Sequence, residues 1–246
     1  MTRIWFALGL NDIVARYRGS VLGPFWITLT TAVFVAGIGV LYADLMHVSV
    51  EKYLPWMATG VVVWGFINQA TLESADSFMT ASHVLRQTAI PLPLFICRVL
   101  WRNVLTFAHQ TPVLLIVALK FHYLFHINPF ALALGLALNL ANISWFGLCA
   151  AIVCARYRDL QQVLGSIMQM LFFLSPVMWI PSESAGYNKI LNLLPTVHML
   201  NVMRGPLIGE DFHLFGAAYL ALAAVLGWIF TLLFFSTVRR RIVHYV

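Results

Sequence analysis

Long, nearly uncharged stretches alternate with short polar connections along the chain. Six of these stretches have about 20 residues or more, at 21–43, 53–72, 99–119, 129–155, 160–179 and 214–238. Lys52 and Glu73 bound the second stretch, and Arg98 and Arg102 lie near one end of the third. A helix rises about 1.5 Å per residue, so about 20 apolar residues cross the roughly 30 Å hydrocarbon core of a membrane. The pattern therefore predicts an all-α membrane protein with six transmembrane helices, five of them within residues 21–179 and the sixth, followed by a basic tail, within residues 212–246.

The first 20 residues have the pattern of a helix that lies on a membrane surface. Four apolar residues recur on one helical face: Phe6, Leu10, Ile13 and Tyr17. Asp12 and Arg16 stand four residues apart on the opposite face, a spacing that favours an ion pair. Residues 1–20 are therefore predicted to form an amphipathic helix along the cytoplasmic interface. They contain no small-residue cleavage site, so we expect no signal peptide.

A seventh apolar run, residues 190–203, is too short to cross the membrane. Its 14 residues reach only about 21 Å as a helix, and Pro195 interrupts the run. A seventh span would also place the terminal arginines 239–241 on the outer side, against the charge bias described below. Residues 180–211 are therefore predicted to form an outer re-entrant hairpin before the last span.

The composition excludes a water-soluble globule. Hydrophobic residues make up 61% of the 246 residues and charged residues 10%, whereas a soluble domain has roughly 45–50% and about 25%. The mean hydropathy of +0.85 excludes disorder. Three scattered cysteines match neither a disulfide framework nor the spacing of a zinc site. We therefore interpret residues 1–246 as a single transmembrane domain.

The formal net charge of +6 predicts an orientation rather than a nucleic-acid partner. The basic residues mostly stand singly between apolar runs, whereas nucleic-acid-binding proteins cluster them on a solvated face. Nine lie at one set of span ends: Arg3, Arg16, Arg18, Arg86, Arg156, Arg158, Arg239, Arg240 and Arg241. Four lie at the other set: Lys52, Lys120, Lys189 and Arg204. Because Lys and Arg accumulate in short cytoplasmic loops, both termini are predicted to be cytoplasmic.

Motifs of a catalytic or energy-converting site are missing from the sequence. The chain lacks GxxxxGK[ST], HExxH and GxSxG, so we expect no ATPase site, no metal and no cofactor in this chain. Carboxylates fall at predicted span ends or in connections, which disfavours a proton-coupled carrier. Uncharged polar residues inside the spans, among them Asn139 and Asn142, are interpreted mainly as helix–helix hydrogen-bonding groups.

The connection between the second and third predicted spans contains a candidate docking element. Residues 82–87 can form a short helix that ends before Pro91 and Pro93. A short rigid helix on the cytoplasmic surface allows an ATPase subunit to displace two spans together, whereas a flexible loop would absorb the movement. The alternative interpretation is a plain turn.

Five segments, in order along the chain, resemble permease subunits of type-two ATP-binding-cassette exporters. They are RYRGSVLGPFW (16–26), similar to the family's entry motif; HVLRQTAIPLPLF (83–95), its coupling segment; RYRD (156–159), its second cytoplasmic loop; FLSPVMW (173–179), its fifth span; and LLPTVHMLNVMRGPLIG (193–209), its outer hairpin. The resemblance covers nearly the whole chain. Within the family, RYRGSVLGP and PVMWIP are most similar to O-antigen polysaccharide exporters, followed by capsule and teichoic-acid exporters.

The resemblance implies a homodimer in the bacterial inner membrane, joined to two copies of a separate ATPase subunit that binds ATP and Mg²⁺. The cargo it implies is an undecaprenyl-pyrophosphate-linked glycan. The implied ATPase-coupling residues are Ser82, His83, Val84, Leu85, Arg86 and Gln87 together with Arg156, Arg158 and Asp159. The residues placed to meet the lipid pyrophosphate, or to act as a gate, are Arg16, Tyr17 and Arg18. Arginine suits bidentate phosphate contacts, and an interfacial anchor accounts equally well for either arginine alone.

Two other functions remain open at the level of the sequence. One is an ATP-driven exporter of small drugs built on the same frame. The other is an intramembrane enzyme acting on lipid-linked sugars. The enzyme is disfavoured because the spans contain no paired carboxylates and no activated nucleophile.

Overall fold

The protein is helical throughout the part of the chain that its computed structural model describes. That part comprises residues 9–15, 18–23, 25–87, 90–181 and 191–238, without the side chain of Arg86. Residues 9–15 are helical. The helices that follow are α1 (Phe25–Leu45), α2 (Val50–Thr80), α3 (Ser82–Gln87), α4 (Pro93–Lys120), α5 (Pro129–Arg156), α6 (Leu160–Leu174), α7 (Pro195–Ile208) and α8 (Leu214–Val238), with a 3-10 turn at Leu124–His126.

Four helices of the described residues are long and apolar enough to cross a membrane. They are α1, α4, α5 and α8, with 21 to 28 residues each. They coincide with the predicted first, third, fourth and sixth spans, although α1 begins at Phe25 rather than at residue 21 and α4 begins at Pro93 rather than at residue 99. Helix α2, in the place of the second span, is long enough but less apolar, and α6, in the place of the fifth, is shorter, so the count of six stays a prediction.

Helix α2 extends beyond the limits of the predicted second span. The sequence placed its limits at Tyr53 and Leu72, but α2 continues to Thr80 and has 31 residues, about 45 Å at 1.5 Å per residue. Glu73 does not end the helix, because donors on α4 satisfy its carboxylate. Helix α2 is also the centre of the bundle, since it packs against α1, α3, α4, α5, α6 and α7.

Helix α6 ends before the predicted end of the fifth span. Helix α6 has 15 residues and ends at Leu174 rather than at Trp179, which is about 22 Å of helix. Ser175 has extended backbone, with φ −83° and ψ 145°, because a residue before proline is disfavoured in the α conformation and Pro176 follows it. Residues 175–181 continue as irregular chain.

Within the predicted hairpin, the role of Pro195 was wrong. The proline does not interrupt a helix but begins one, at the first turn of α7, where its missing N–H is not needed. Nearly all of α7 is buried among α2, α5 and α8. Residues 182–190 of the predicted hairpin lie outside the described residues, and its re-entrant course stays a prediction.

The N-terminal helix keeps only part of the predicted amphipathic pattern. Ile13 is buried as predicted, whereas Leu10, assigned to the same face, is exposed. Asp12 was assigned to the outer face with Arg16 as its partner, but its carboxylate points into the protein and binds α4. Arg16 lies outside the described residues. A carboxylate near the membrane boundary gains more from two arginines than from one solvated partner.

Amide side chains hold the bundle together, as the sequence analysis predicted for Asn139 and Asn142. Asn139 donates to the carbonyl of Met199 on α7 at 3.1 Å. Asn142 donates to the carbonyl of Leu220 on α8 at 3.0 Å. Both amides are buried, so each joins α5 to a neighbouring helix where no water competes for the bond.

Candidate functional site

Four charged side chains from three parts of the chain meet near the Thr80 end of α2. Arg98 of α4 binds Asp12 through two nitrogens, at 2.8 and 2.5 Å. Arg102, one turn further along α4, binds Asp12 at 3.0 Å and Glu73 of α2 at 2.8 Å. We call Asp12, Glu73, Arg98 and Arg102 the charge network. It connects the N-terminal helix, α2 and α4.

The charge network is shielded from water and supported by neutral partners. Glu73 also accepts hydrogen bonds from Asn103 at 2.7 Å and from Gln69 at 3.0 Å. The four charged side chains are only 17–29% exposed. Ion pairs that are partly withdrawn from solvent, with their remaining hydrogen-bonding capacity satisfied, are stronger than pairs on an open surface.

Sequence reasoning missed the charge network. It treated Glu73, Arg98 and Arg102 as markers of span ends and paired Asp12 with Arg16. One signal was present: Arg98 and Arg102 are four residues apart, so they share a face of a helix that is otherwise apolar. Two arginines on the inward face of one helix need carboxylates from other segments of the chain. The sequence does not say which carboxylates lie near them in the fold.

A cleft of about 470 Å³ opens beside the charge network. Glu73, Arg98 and Arg102 line one side, and Ala81 and Val84, around the start of α3, line another. The short helix that the sequence identified as a docking element therefore shares a cleft with the charge network.

Helix α3 exists, as predicted, and its residues divide between two faces. Leu85 is buried in the main hydrophobic core, so it anchors α3 to the bundle. His83, Val84 and Gln87 are exposed, and Ser82 is partly buried. The side chain of Arg86 lies outside the described residues. The surface available to a partner is thus formed by His83, Val84 and Gln87, not by Leu85.

The second predicted docking segment is the turn between α5 and α6. Arg156, Arg158 and Asp159 are all exposed there. The Arg156 guanidinium carbon lies 5.3 Å from the centre of the Tyr157 ring, a cation–π distance. Asp159 directly precedes α6, where a negative charge suits the helix dipole.

The two predicted docking segments lie at the same end of the bundle. At one level along the helix axes, α2 and α5 both contact α7: Gly60 of α2 lies near Arg204, and Gly135 of α5 lies near Val202. At a second level, later in both helices, Gly147 of α5 packs against Ser74 of α2. The two helices therefore run in the same direction, and α3 and the turn after α5 follow their corresponding ends.

The predicted lipid-phosphate residues are only partly described. Arg16 and Tyr17 lie outside the described residues. Arg18 is exposed in the turn after the N-terminal helix, where its amide donates to the carbonyl of Ala15 at 3.3 Å. Asp12 of that helix belongs to the charge network, so Arg18 lies toward the Thr80 end of α2.

At the Val50 end of α2, an arginine that the sequence analysis assigned to an outer loop is buried. Arg204 lies inside α7 and is 1% exposed. One of its nitrogens donates to the carbonyl of Val177 at 3.1 Å, and its guanidinium carbon lies 4.0 Å from the ring centre of Trp56. Burial lowers the pKa of Arg204 to about 9, which leaves the guanidinium charged at neutral pH. Arg204 thus packs in the protein interior and does not mark an outer loop.

Gly60 leaves the room that Arg204 occupies. A Cβ atom at position 60 would collide with the Val177 carbonyl oxygen and with the Arg204 guanidinium. We expect Gly60→Ala to lower the free energy of unfolding by about 1–3 kcal/mol, the usual cost of overpacking. Gly65→Ala is the matched control on the same helix, because nothing lies within 4 Å of its added Cβ; it should be neutral or stabilise by about 0.5–1 kcal/mol. Denaturant unfolding in micelles measures both, and equal effects would contradict this packing.

Comparison with known proteins agrees with these elements. Residues 4–208 match the family model described as ABC-2 type transporter. The chain is 23% identical over 196 residues to the O-antigen export system permease protein RfbA of Myxococcus xanthus, which covers 77% of this chain and 74% of the relative. It is 20% identical over 174 residues to a protein of the same name from Klebsiella pneumoniae, with coverages of 69% and 66%.

The family match extends from the N-terminal helix to the last residue of α7, so it includes both ends of α2, helix α3 and the charge network. Together with four helices of membrane-spanning length and composition, it shows that this multi-pass membrane protein belongs to the ABC-2 type transporter family.

Proposed function

We propose that this chain is the permease subunit of an exporter that moves a lipid-linked polysaccharide of O-antigen type outward across the bacterial inner membrane. The observation that carries the proposal is the similarity of about three quarters of the chain to a permease named for O-antigen export. The chain contributes the passage, and a separate ATPase contributes the energy.

The polar face of α6 supports a passage for a hydroxylated cargo. Gln162, Ser166 and Gln169 recur at helical spacing, and all three are exposed. The remaining exposed residues of α6 are largely apolar, Val163, Ile167 and Met170 among them. Amides facing lipid are costly, so the polar face belongs toward a second copy of the chain. A homodimer would then enclose a polar passage for sugars.

The topology that fits this passage has six spans and cytoplasmic termini. Helix α2 supplies the second span, since about 45 Å of helix covers the hydrocarbon core and both headgroup layers. Helix α6 with the irregular residues 175–179 supplies the fifth. Residues 180–211, including the buried α7, form the outer hairpin. The non-helical residues 175–179 are tolerated within the membrane because protein surrounds them. Tyr53, for example, donates to the Met178 carbonyl at 2.6 Å.

Two copies of an ATPase subunit dock at the Thr80 end of α2, with ATP and Mg²⁺ bound by that partner and not by this chain. The docking surface is α3 together with the exposed turn 156–159. Leu85 joins α3 to the core, and the charge network ties the neighbouring parts of α2 and α4 together. A push on α3 is therefore passed to two spans instead of being lost in a loop.

The undecaprenyl pyrophosphate of the cargo meets the arginines that follow the N-terminal helix. Arg18 is exposed toward the Thr80 end of α2, and Arg16 and Tyr17 precede it in the sequence. Guanidinium groups bind phosphate oxygens in pairs, whereas an ammonium group acts as a point charge. A pyrophosphate at the cytoplasmic surface would thus be held before the glycan enters the passage.

Loss of this chain is expected to abolish surface polysaccharide while lipid-linked glycan accumulates inside the cell. Complementation with the chain and its ATPase should restore the surface polymer, measured by glycan electrophoresis of cell envelopes and by antibody labelling of intact cells. A deletion strain with normal surface polysaccharide would contradict the proposal. Dye efflux that depends on the chain, without a change in surface glycan, would point to a small-molecule exporter instead. Chemical analysis of the missing polymer distinguishes O-antigen from capsule and teichoic acid.

A further inference from the structure

A second cleft, of about 400 Å³, lies at the Val50 end of α2, about 45 Å of helix away from the docking helix. The beginning of α2, the loop after α4, Ile180 and the end of α7 enclose it. Its lining combines two aromatic side chains, Trp56 and Tyr123, with two carboxylates, Glu51 and Glu210, and with Lys52. Neither the ATPase nor the lipid pyrophosphate of the proposed function uses this cleft.

The Trp56 ring is held in place from several sides. Its indole nitrogen donates to the carbonyl of Trp179 at 3.1 Å. The buried guanidinium of Arg204 lies 4.0 Å from its ring centre. Cation–π and hydrogen-bond contacts of this kind fix the orientation of an indole, so Trp56 is a preorganised wall of the cleft.

Tyr123 brings an unused hydrogen-bonding group to the same cleft. Its hydroxyl is buried and has no hydrogen-bond partner among the residues that the structure describes. Burial also raises the pKa of the Tyr123 phenol to about 12, so the group is a neutral donor at physiological pH. Buried hydroxyls are rarely left without partners, because each one costs free energy. A ligand oxygen in the cleft would satisfy it.

The mixture of groups selects the chemical class of the ligand. Two carboxylates disfavour an anion, while Lys52 and the neighbouring Arg204 disfavour a cation. Carboxylates accept, and an ammonium donates, strong hydrogen bonds with neutral hydroxyl groups. Aromatic rings provide apolar surface beside these polar groups, and a volume of a few hundred Å³ suits a small ligand. A neutral, polyhydroxylated ring meets all of these requirements.

We propose that this cleft is a binding site for a neutral sugar residue, with Trp56 as the aromatic wall, Glu51 and Glu210 as hydroxyl acceptors, and Tyr123 and Lys52 as donors. The inference rests on the proposed function, in which the Val50 end of α2 is the outer end of the passage. A sugar bound there belongs to the part of the polymer that has already crossed the membrane. Each subunit thus holds the leaving glycan at its exit.

The test is saturation-transfer NMR on the complete exporter in nanodiscs, with glucose, galactose, mannose, rhamnose and N-acetylglucosamine as separate probes. At least one sugar should bind the wild-type protein. Glu51→Gln and Glu210→Gln keep the shape of the side chain but remove its charge, and each should weaken binding about tenfold, because a hydrogen bond to a charged acceptor is stronger than one to a neutral acceptor. Trp56→Leu should abolish the signal.

The matched control is Asp211→Asn, which removes the carboxylate next to Glu210 but outside the cleft lining. Its affinity for the sugar should equal that of the wild-type protein. The proposed site is overturned if none of the five sugars binds. It is also overturned if the Glu210 and Glu51 variants bind sugar as well as the Asp211 control does. Glu51 lies in the first turn of α2 and is exposed, so its variant tests the site even if the Glu210 variant fails to fold.

The outcomes separate this inference from the proposed function. Surface polysaccharide that is lost on deletion, combined with no sugar binding in the cleft, leaves the exporter intact and refutes the site. Sugar binding that depends on Glu51 and Glu210, combined with normal surface polysaccharide in the deletion strain, supports the site and refutes the export function.

Discussion

Val84→Asp is expected to detach the ATPase subunit while the permease stays folded in the membrane. Val84 is 41% exposed on α3, on the surface that the docking partner would cover. Burying the exposed 41% of Val84 contributes about 1 kcal/mol, and burying an unpaired carboxylate costs considerably more. Affinity for the ATPase should therefore fall at least about tenfold, and export should stop. Co-purification of the ATPase with the tagged permease, together with surface-glycan labelling, measures both effects.

The control for this variant is Val50→Asp, the same substitution at the other end of α2. Val50 is 37% exposed and lies far from α3, so ATPase co-purification should equal that of the wild-type protein. Normal ATPase binding by the Val84 variant would remove α3 as the docking surface. Leu85→Ala should behave differently from the Val84 and Val50 variants. It loosens the attachment of α3 to the core, so it lowers the free energy of unfolding before it affects docking.

Arg102→Met is expected to destabilise the protein by about 3 kcal/mol, the scale for removing one partner of a shielded ion pair. The substitution takes one cation from Asp12 and one from Glu73. The side chain of Glu73 is 21% exposed, so water compensates only in part. Thermal unfolding in detergent, followed by tryptophan fluorescence, should show a clear decrease in the midpoint temperature.

Two further variants decide whether the charge network causes that loss. The double variant Arg102→Met with Glu73→Gln should recover part of the stability, because it also removes the carboxylate that Arg102 paired with, and interacting pairs are commonly non-additive by about 0.5–3 kcal/mol. Asp76→Asn should change stability by less than about 0.5 kcal/mol, since Asp76 bonds the Thr80 hydroxyl of its own helix and lies outside the network. Additive effects of the two network substitutions would show that Arg102 and Glu73 do not act as a pair.

Helix α2 is a single helix that joins the cleft at the charge network to the cleft beside Trp56. One end carries Glu73 of the charge network, and the other carries Trp56 beside the buried Arg204. Along its length it contacts six other helices. Close contacts are local, which is why a single methyl group at Gly60 is expected to be costly and the same group at Gly65 is not.

Much of the fold was predictable from hydrophobic length alone. The limits of α5 and α8 follow from uncharged runs that end at Arg156 and near the terminal arginines, because lipid allows neither charges nor unpaired backbone groups in a span. The short helix α3 followed from polar residues ahead of two prolines. These features depend on residues that are close in the sequence and on the lipid surroundings, and both are known without the fold.

Two charges were misinterpreted for a common physical reason. A charge was taken as the end of a span, but Glu73 continues inside α2 because Arg102 and Asn103 from another helix bind it. In the same way Arg204 was counted as an outer loop charge although it packs against Trp56. A charged residue is costly in a membrane only until a partner neutralises or shields it, and that partner comes from a distant part of the chain.

By itself the sequence determined that this chain is a helical membrane protein, where most of its long apolar helices and the short helix α3 lie and which family it resembles, since these properties depend on local hydrophobicity and contiguous motifs. Only the tertiary structure decided that Asp12 binds Arg98 and Arg102, that Leu85 faces inward while Val84 faces outward, and that Trp56, Tyr123 and Glu210 share one cleft. Such juxtapositions arise from how helices pack, and residues more than 60 positions apart carry no local pattern that announces their contact.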